Sequence, residues 1–85
     1  MTVKVRVRYK ASVRRDLKKI PQNIVERILR QIRNILGNDP RSGEALHGEF
    51  TGLFKLRIGD YRVIYALLGE DVLVLRIRHR SEAYQ

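Results

Sequence analysis

Residues 53–65 run Leu53-Phe54-Lys55-Leu56-Arg57-Ile58-Gly59-Asp60-Tyr61-Arg62-Val63-Ile64-Tyr65, and their alternation decides the fold. Gly59-Asp60 interrupts the run at its middle, and a two-residue break between alternating strands reads as a hairpin turn. That turn pairs Ile58 with Tyr61, Arg57 with Arg62 and Leu56 with Val63. Side chains alternate across a strand, so Phe54, Leu56, Ile58, Tyr61, Val63 and Tyr65 share one apolar side. Lys55, Arg57 and Arg62 then emerge together on the other. Like charges directly opposite one another on neighbouring strands cost about 0.2–1 kcal/mol. An anionic ligand between them converts the repulsion into a clamp.

Toward the C-terminus, Gly69-Glu70-Asp71 marks a second turn and Val72 to Arg78 a further strand, after one running from Tyr61 to Leu67. Arg76, Arg78 and Arg80 are spaced by two, so they share a face while the segment stays extended. An even turn would carry these charges under the apolar layer, where desolvation forbids them. The expectation is therefore an odd loop or a bulge that returns Arg78 to the side of Arg62. His79 then points the other way.

Toward the N-terminus, Val3, Val5 and Val7 alternate with Lys4, Arg6 and Arg8, which predicts a half-buried strand. Ser12 offers a helix N-cap, and Val13, Leu17 and Ile20 follow at helical spacing up to Pro21. Ile24, Val25, Ile28, Leu29, Ile32, Ile35 and Leu36 form the apolar stripe of a second helix, with Gly37 as its expected C-cap and Pro40 as a block. Residues 37–52, which contain Leu46-His47-Gly48, read as a long loop. The predicted fold is α+β, β-α-α-β-β-β. Two N-terminal helices pack on one face of an antiparallel sheet, in a single domain over residues 1–85.

The balance of 18 Lys+Arg against 9 Asp+Glu gives a net charge of +9 in 85 residues, a field that attracts nucleic acid or an acidic protein. Thirteen of the basic residues are Arg, which favours phosphate forks over point charges. There is no cysteine, and His47 and His79 lack an adjacent carboxylate pair, so neither a metal nor another cofactor is expected. No apolar run is long enough to span a membrane. The chain opens directly on a strand pattern, so a cytoplasmic location without a secretory leader is expected.

Acids are scarce. Asp60, Glu70 and Asp71 fall at turns, and Glu49 and Glu82 are the candidates from the loop and the tail. No spacing supports Ser/His/Asp hydrolysis, and no glycine-rich loop precedes a helix. What remains is metal-free phosphodiester chemistry, in which Arg and Lys stabilise the pentacovalent phosphate while Tyr, His or Lys moves protons. RNA supplies its own nucleophile, the 2′-hydroxyl.

The run from Leu46-His47-Gly48 through Gly52 to Tyr65 resembles the signature of the RelE/ParE toxin superfamily. So do Asp16-Leu17-Lys18-Lys19-Ile20-Pro21 and the tail Leu75-Arg76-Ile77-Arg78-His79-Arg80-Ser81-Glu82-Ala83-Tyr84. The resemblance covers almost the whole chain and implies a microbial-ribonuclease-like fold. Its RelE branch implies a type II toxin, a ribosome-dependent endoribonuclease that cuts mRNA in the A site and leaves a 2′,3′-cyclic phosphate. Carried over by position, Lys55 and Arg57 match the family's paired basic residues. Arg62 matches its phosphate-stabilising arginine, Arg80 its arginine near the end of the last strand, and Tyr84 its C-terminal tyrosine. Arg78 and His79 are expected to contact substrate. Arg57 replaces a lysine found in the family and, being always charged, is a poor general base. The implied partners are the ribosome, mRNA and a cognate antitoxin, held with the toxin in a hetero-oligomer. The competing readings are a ParE-like toxin that inhibits DNA gyrase and a non-catalytic RNA-binding domain.

Overall fold

The computed structural model describes residues 5–82. Strand β1 (Val7–Tyr9) leads into helix α1 (Ala11–Leu17) and helix α2 (Gln22–Asn38). Four strands follow: β2 (Glu44–Ala45), β3 (Leu53–Ile58), β4 (Tyr61–Leu68) and β5 (Asp71–His79). Single 3-10 turns occupy Gly48–Phe50 and Arg80–Glu82. The sheet order is β1-β5-β4-β3-β2. Strands β2 to β5 are antiparallel, but β1 lies parallel to β5, with Val7 beside Val72 and Tyr9 beside Val74. The sheet is therefore mixed. The helical crossover between β1 and the later strands is what permits a parallel pair. The N-terminal strand begins later than its alternation implies among the described residues, and Val3 lies outside them.

The core forms where the helices meet the sheet. Val25, Ile28, Ile32 and Leu36 of α2 pack with Val13 of α1 and with Ile58, Val63, Tyr65, Val72, Val74 and Ile77. The hairpin register agrees with the alternation of 53–65: Ile58 faces Tyr61, Arg57 faces Arg62 and Leu56 faces Val63. Gly59 has a φ of 58°, and Gly69 a φ of 63°, the left-handed geometry that two-residue turns require.

Several boundaries depart from the sequence reading. Ser12 does not cap α1. Lys10 occupies the N-cap, and the Ser12 hydroxyl instead donates to the Leu75 carbonyl at 2.7 Å. Gly37 lies inside α2, which runs on to Asn38 because the Asn38 side-chain amide donates to the Asn34 carbonyl and Asp39 N–H to Ile35. Pro21 sits at the N-cap of α2, its carbonyl accepting from both Ile24 and Val25. The 37–52 segment is not a bare loop: Glu44 and Ala45 pair with Lys55 and Phe54 as a short edge strand. Tyr65 anchors this segment from within the core, donating to the Pro40 carbonyl at 2.9 Å and accepting from Gly43 N–H at 3.0 Å. Its ring stacks on Phe54 with centroids 5.3 Å apart.

The turn between β4 and β5 is even, since Leu68 faces Asp71 across Gly69-Glu70. The parity change comes from a β-bulge. Tyr65 pairs with Val74 but Ile64 pairs with Arg76, leaving Leu75 as the additional residue. A regular strand continuing from inward-facing Val74 would turn Arg76 and Arg78 under the helices. The bulge keeps Val72, Val74 and Ile77 in the core and brings Arg78 opposite Arg62.

Candidate functional site

The outer face of the sheet, away from the helices, carries the charges. Pairing of Arg57 with Arg62 and of Arg62 with Arg78 lays one guanidinium row across β3, β4 and β5. One step along the strands, Lys55, Ile64 and Arg76 form the next row. Several of these cations have a carboxylate nearby. Lys55 Nζ lies 3.4 Å from Glu44, Arg78 3.6 Å from Glu82, and Arg80 3.8 Å from Asp60. The Arg57 Nε donates to the Gly59 carbonyl at 3.4 Å, which ties that side chain to the hairpin turn.

Arg80 does not continue the row of alternation. The strand ends at His79, and Arg80 enters the terminal 3-10 turn, its backbone N–H donating to the Asp60 carbonyl at 2.8 Å. That bond and the Asp60 ion pair hold Arg80 at the hairpin end of the sheet. His79 pairs with Tyr61 on the side opposite Arg62, its ring edge-on to Tyr61 at 5.2 Å. The His79 Nδ1 accepts from Ser81 N–H at 3.2 Å and meets the Ser81 hydroxyl at 2.9 Å, which leaves Nε2 to carry the proton of the neutral ring. His79 thus stands apart from the guanidinium row. Tyr84 lies outside the described residues.

Asp16 was not singled out by the sequence reading, yet it is the one buried charged residue of the described core, 6% exposed. Past Val74, β1 no longer covers the edge of β5, and α1 takes its place there. Ser12 satisfies the Leu75 carbonyl, and Asp16 accepts from Ile77 N–H at 3.0 Å. The same carboxylate accepts two bonds from Arg76, from Nε and Nη2, each at 2.9 Å. Burial works against the Asp16 charge. The Arg76 bonds, the Ile77 N–H and the nearby charges of Arg76 and Arg78 outweigh it, so its pKa falls below the ordinary aspartate value. The signal was present: Val13, Asp16, Leu17 and Ile20 follow i, i+3, i+4, i+7, which put one acid on the buried stripe of a helix.

A small cleft of about 140 Å³ opens beside this edge, lined by Asp16, Lys19, Ile20, Tyr61, Ile77 and Arg78 among others. Among the described residues, no three histidine, cysteine or acidic side chains gather in a way that could hold a metal ion. No described helix is long and apolar enough to cross a membrane.

Comparison with known proteins decides the family. The family model for the ParE toxin of type II toxin-antitoxin system, parDE, matches residues 7–84. The chain belongs to this toxin family. It is 35% identical over 82 residues to Toxin RelG of Mycobacterium tuberculosis, covering 93% of this chain and 94% of that one. It is also 35% identical over 78 residues to Toxin RelE of the same organism, covering 88% and 80% of the two chains. The toxin fold superposes on a crystal structure of the RelBE2 toxin-antitoxin complex from that organism with a TM-score of 0.85. That match has 34% identity and covers 92% of this chain and 100% of that chain.

Proposed function

We propose that this toxin is a RelE-type endoribonuclease that cleaves mRNA in the ribosomal A site and is held inactive by a cognate antitoxin. The observation that carries the reading is the row Arg57, Arg62 and Arg78 across three neighbouring strands. Such a row costs stability when empty and is relieved by a phosphate. The names of the two mycobacterial relatives support the same branch.

In the proposed reaction the substrate's 2′-hydroxyl attacks the adjacent phosphorus, and the bond to the 5′-oxygen of the next nucleotide breaks. A 2′,3′-cyclic phosphate and a free 5′-hydroxyl result. Arg57, Arg62 and Arg78 face the charge that develops on the non-bridging oxygens, with Arg80 at the hairpin end of the row. Preorganised donors of this kind are worth about a hundredfold to a thousandfold each. No arginine here can accept the 2′-hydroxyl proton. Lys55 faces the Glu44 carboxylate, which suits it to stabilising charge, and Tyr84 is the remaining proposed group for base stacking or proton transfer. A site without a strong base depends on a substrate held in reactive geometry. That favours mRNA positioned by the ribosome, in the cytoplasm, over free RNA.

The test is primer extension on programmed ribosomes with an empty A site, comparing wild type with Arg62→Ala and Arg80→Ala. Cuts within the A-site codon that vanish in both variants support the reading. Intact mRNA from a folded wild type overturns it. A second reading, inhibition of DNA gyrase, is favoured by the matching family model being that of ParE. Inhibition of gyrase supercoiling by wild type, with mRNA left intact, would establish that alternative.

A further inference from the structure

The cleft of about 140 Å³ lies just past the end of α1, where the terminal 3-10 turn leaves β5. Its floor is apolar, with Ile20 and Ile77 only 8% and 1% exposed. One wall is aromatic, from Tyr61 and His79, whose rings stand at 89° to one another. The rim is polar and carries both signs, Asp16 and Glu82 against Lys19 and Arg78. Arg78 joins the cleft to the guanidinium row. It pairs with Arg62 in the sheet, lies 3.6 Å from Glu82, and its charge is felt at Asp16. The edge of β5 is open at this point among the described residues, because β1 pairs no further than Val74 and the bond from Asp16 to Ile77 is the last from α1.

We propose that this cleft is a nucleobase subsite, which receives the base of the nucleotide whose phosphate lies against Arg78 and whose Glu82 carboxylate favours a base bearing an exocyclic amino group. The inference rests on the nuclease reading above and adds where the substrate's sequence is read. A phosphate suits the row and not the cleft, since Asp16 and Glu82 line the opening with negative charge. A base is neutral, planar and apolar on its faces, with its hydrogen-bonding groups confined to the edge. Ile20, Ile77 and the two rings match the faces, while Glu82 and Lys19 match the edge. Unpaired RNA bases are held in this manner, stacked on aromatic side chains and read along their edges.

The acceptors set the preference. Asp16 is committed to Arg76 and Ile77, so Glu82 is the reader. The Glu82 side chain is 39% exposed and shares its charge with Arg78, which leaves carboxylate lone pairs for an N–H donor of the ligand. Cytosine, adenine and guanine each carry an amino group on the edge. Uracil has carbonyl oxygens on either side of a single ring N–H, and a carbonyl beside a carboxylate is repelled. Lys19 complements a ring carbonyl or nitrogen next to the amino group. A site built around a hydrogen bond rejects a ligand lacking the partner more strongly than an apolar pocket rejects a change of size. In this arrangement His79, which stands apart from the phosphate row, has its own place on the substrate.

The test uses the full chain in two assays. One is cleavage on programmed ribosomes with each A-site codon position varied in turn, and the other is binding of nucleoside monophosphates mapped by amide chemical shifts. The variants are Glu82→Gln, Glu82→Asp and, at an exposed position, Lys19→Ala. Expected is cleavage by the wild type about fivefold or more faster when one codon position holds cytosine, adenine or guanine in place of uracil. Glu82→Gln should remove that preference and Glu82→Asp keep it, a pattern that a merely structural role for Glu82 would not produce. Cytidine and adenosine monophosphates should shift residues 19, 61, 77, 79 and 82, uridine monophosphate should do so less, and ribose 5-phosphate should leave them unmoved. Lys19→Ala should weaken those shifts, and it keeps the cleft testable should Glu82→Gln fail to fold. Shifts from ribose 5-phosphate equal to those from the nucleotides, shifts confined to residues 57, 62 and 78, or a base preference unchanged in Glu82→Gln would overturn the proposal. Cleavage indifferent to the base at every codon position sinks the subsite and leaves the nuclease reading standing. A folded wild type that cuts no mRNA, but whose cleft takes cytidine and adenosine monophosphates over uridine monophosphate, does the reverse.

Discussion

Replacing Asp16 by Asn removes a charge and little volume, and its cost can be worked from the bonds present. The carboxylate accepts from Arg76 Nε and Nη2, each at 2.9 Å, and from Ile77 N–H at 3.0 Å. Asparagine keeps one oxygen, for which these donors compete, and its amide adds a further donor facing Arg76. Hydrogen bonds to charged groups are worth about 1.5–3 kcal/mol. The Arg76 side chain is 43% exposed, so water screens the pair and compensates part of the loss. The expected destabilisation is about 2 kcal/mol for Asp16→Asn. It rises to about 3 kcal/mol for Asp16→Ala, which also strands the buried Ile77 N–H. In a domain of this size, 2 kcal/mol corresponds to about 8–16 °C in melting temperature. The dependence on pH carries an independent signature. The Asp16 pKa is lowered in the fold, from an unfolded value near 3.9. Its contribution is therefore complete above about pH 4–5 and is lost as pH falls through the folded value. Urea titrations of wild type and Asp16→Asn should show the full gap at neutral pH and a closing gap below about pH 4. A gap under about 0.5 kcal/mol at pH 7, or one that persists unchanged into acid, would refute the assignment.

Tyr65→Phe removes a buried hydroxyl that joins Pro40 to Gly43, and should cost about 1–3 kcal/mol in chemical denaturation. Gly43→Ala should also destabilise, because a Cβ there would lie 2.5 Å from the Tyr65 hydroxyl and 2.9 Å from the Lys55 carbonyl. A melting temperature equal to wild type would show that the 40–45 segment yields freely. Binding of single-stranded RNA should weaken steeply with salt. Arg57→Ala or Arg78→Ala should each reduce the slope of log affinity against log salt by about 0.7, and unchanged slopes would mean those guanidinium groups touch no phosphate.

The central hairpin was fully legible because its register follows from two local facts, a Gly-Asp turn and strict alternation. Each pairing from Leu56–Val63 to Ile58–Tyr61 is as read. The need for a parity change before Arg78 was also legible, since three charges cannot lie in a core. Whether a loop or a bulge supplies it was not, because Leu75 looks like any other strand residue until Ser12 and Asp16 of a distant helix bond around it. The parallel seat of β1 escaped for a similar reason. A short alternating strand states that it pairs, and only the chain's three-dimensional return states with whom. Ser12 and Gly37 were read by local capping preference, and tertiary contacts and side-chain bonds near the helix end prevailed. Among the candidate site residues, alternation placed Lys55, Arg57, Arg62 and Arg78 together. It could not foresee that the strand stops at His79 and that Asp60 takes up Arg80.

The position of β5 has a consequence for biosynthesis. It is the last of the described strands, yet it fills an interior slot between β1 and β4. A nascent chain made as far as the β4–β5 turn has β2, β3 and β4 to pair, a β1 with no neighbouring strand and an α1 whose Asp16 lacks Arg76 and Ile77 as partners. Local pairing can form the β3–β4 hairpin early, but the N-terminal segment docks only when residues some sixty positions later arrive. Arg78 comes with that same strand. A half-made toxin therefore lacks both a closed sheet and the third guanidinium of the row, and under the proposed function competence for chemistry arrives only once β5 has folded.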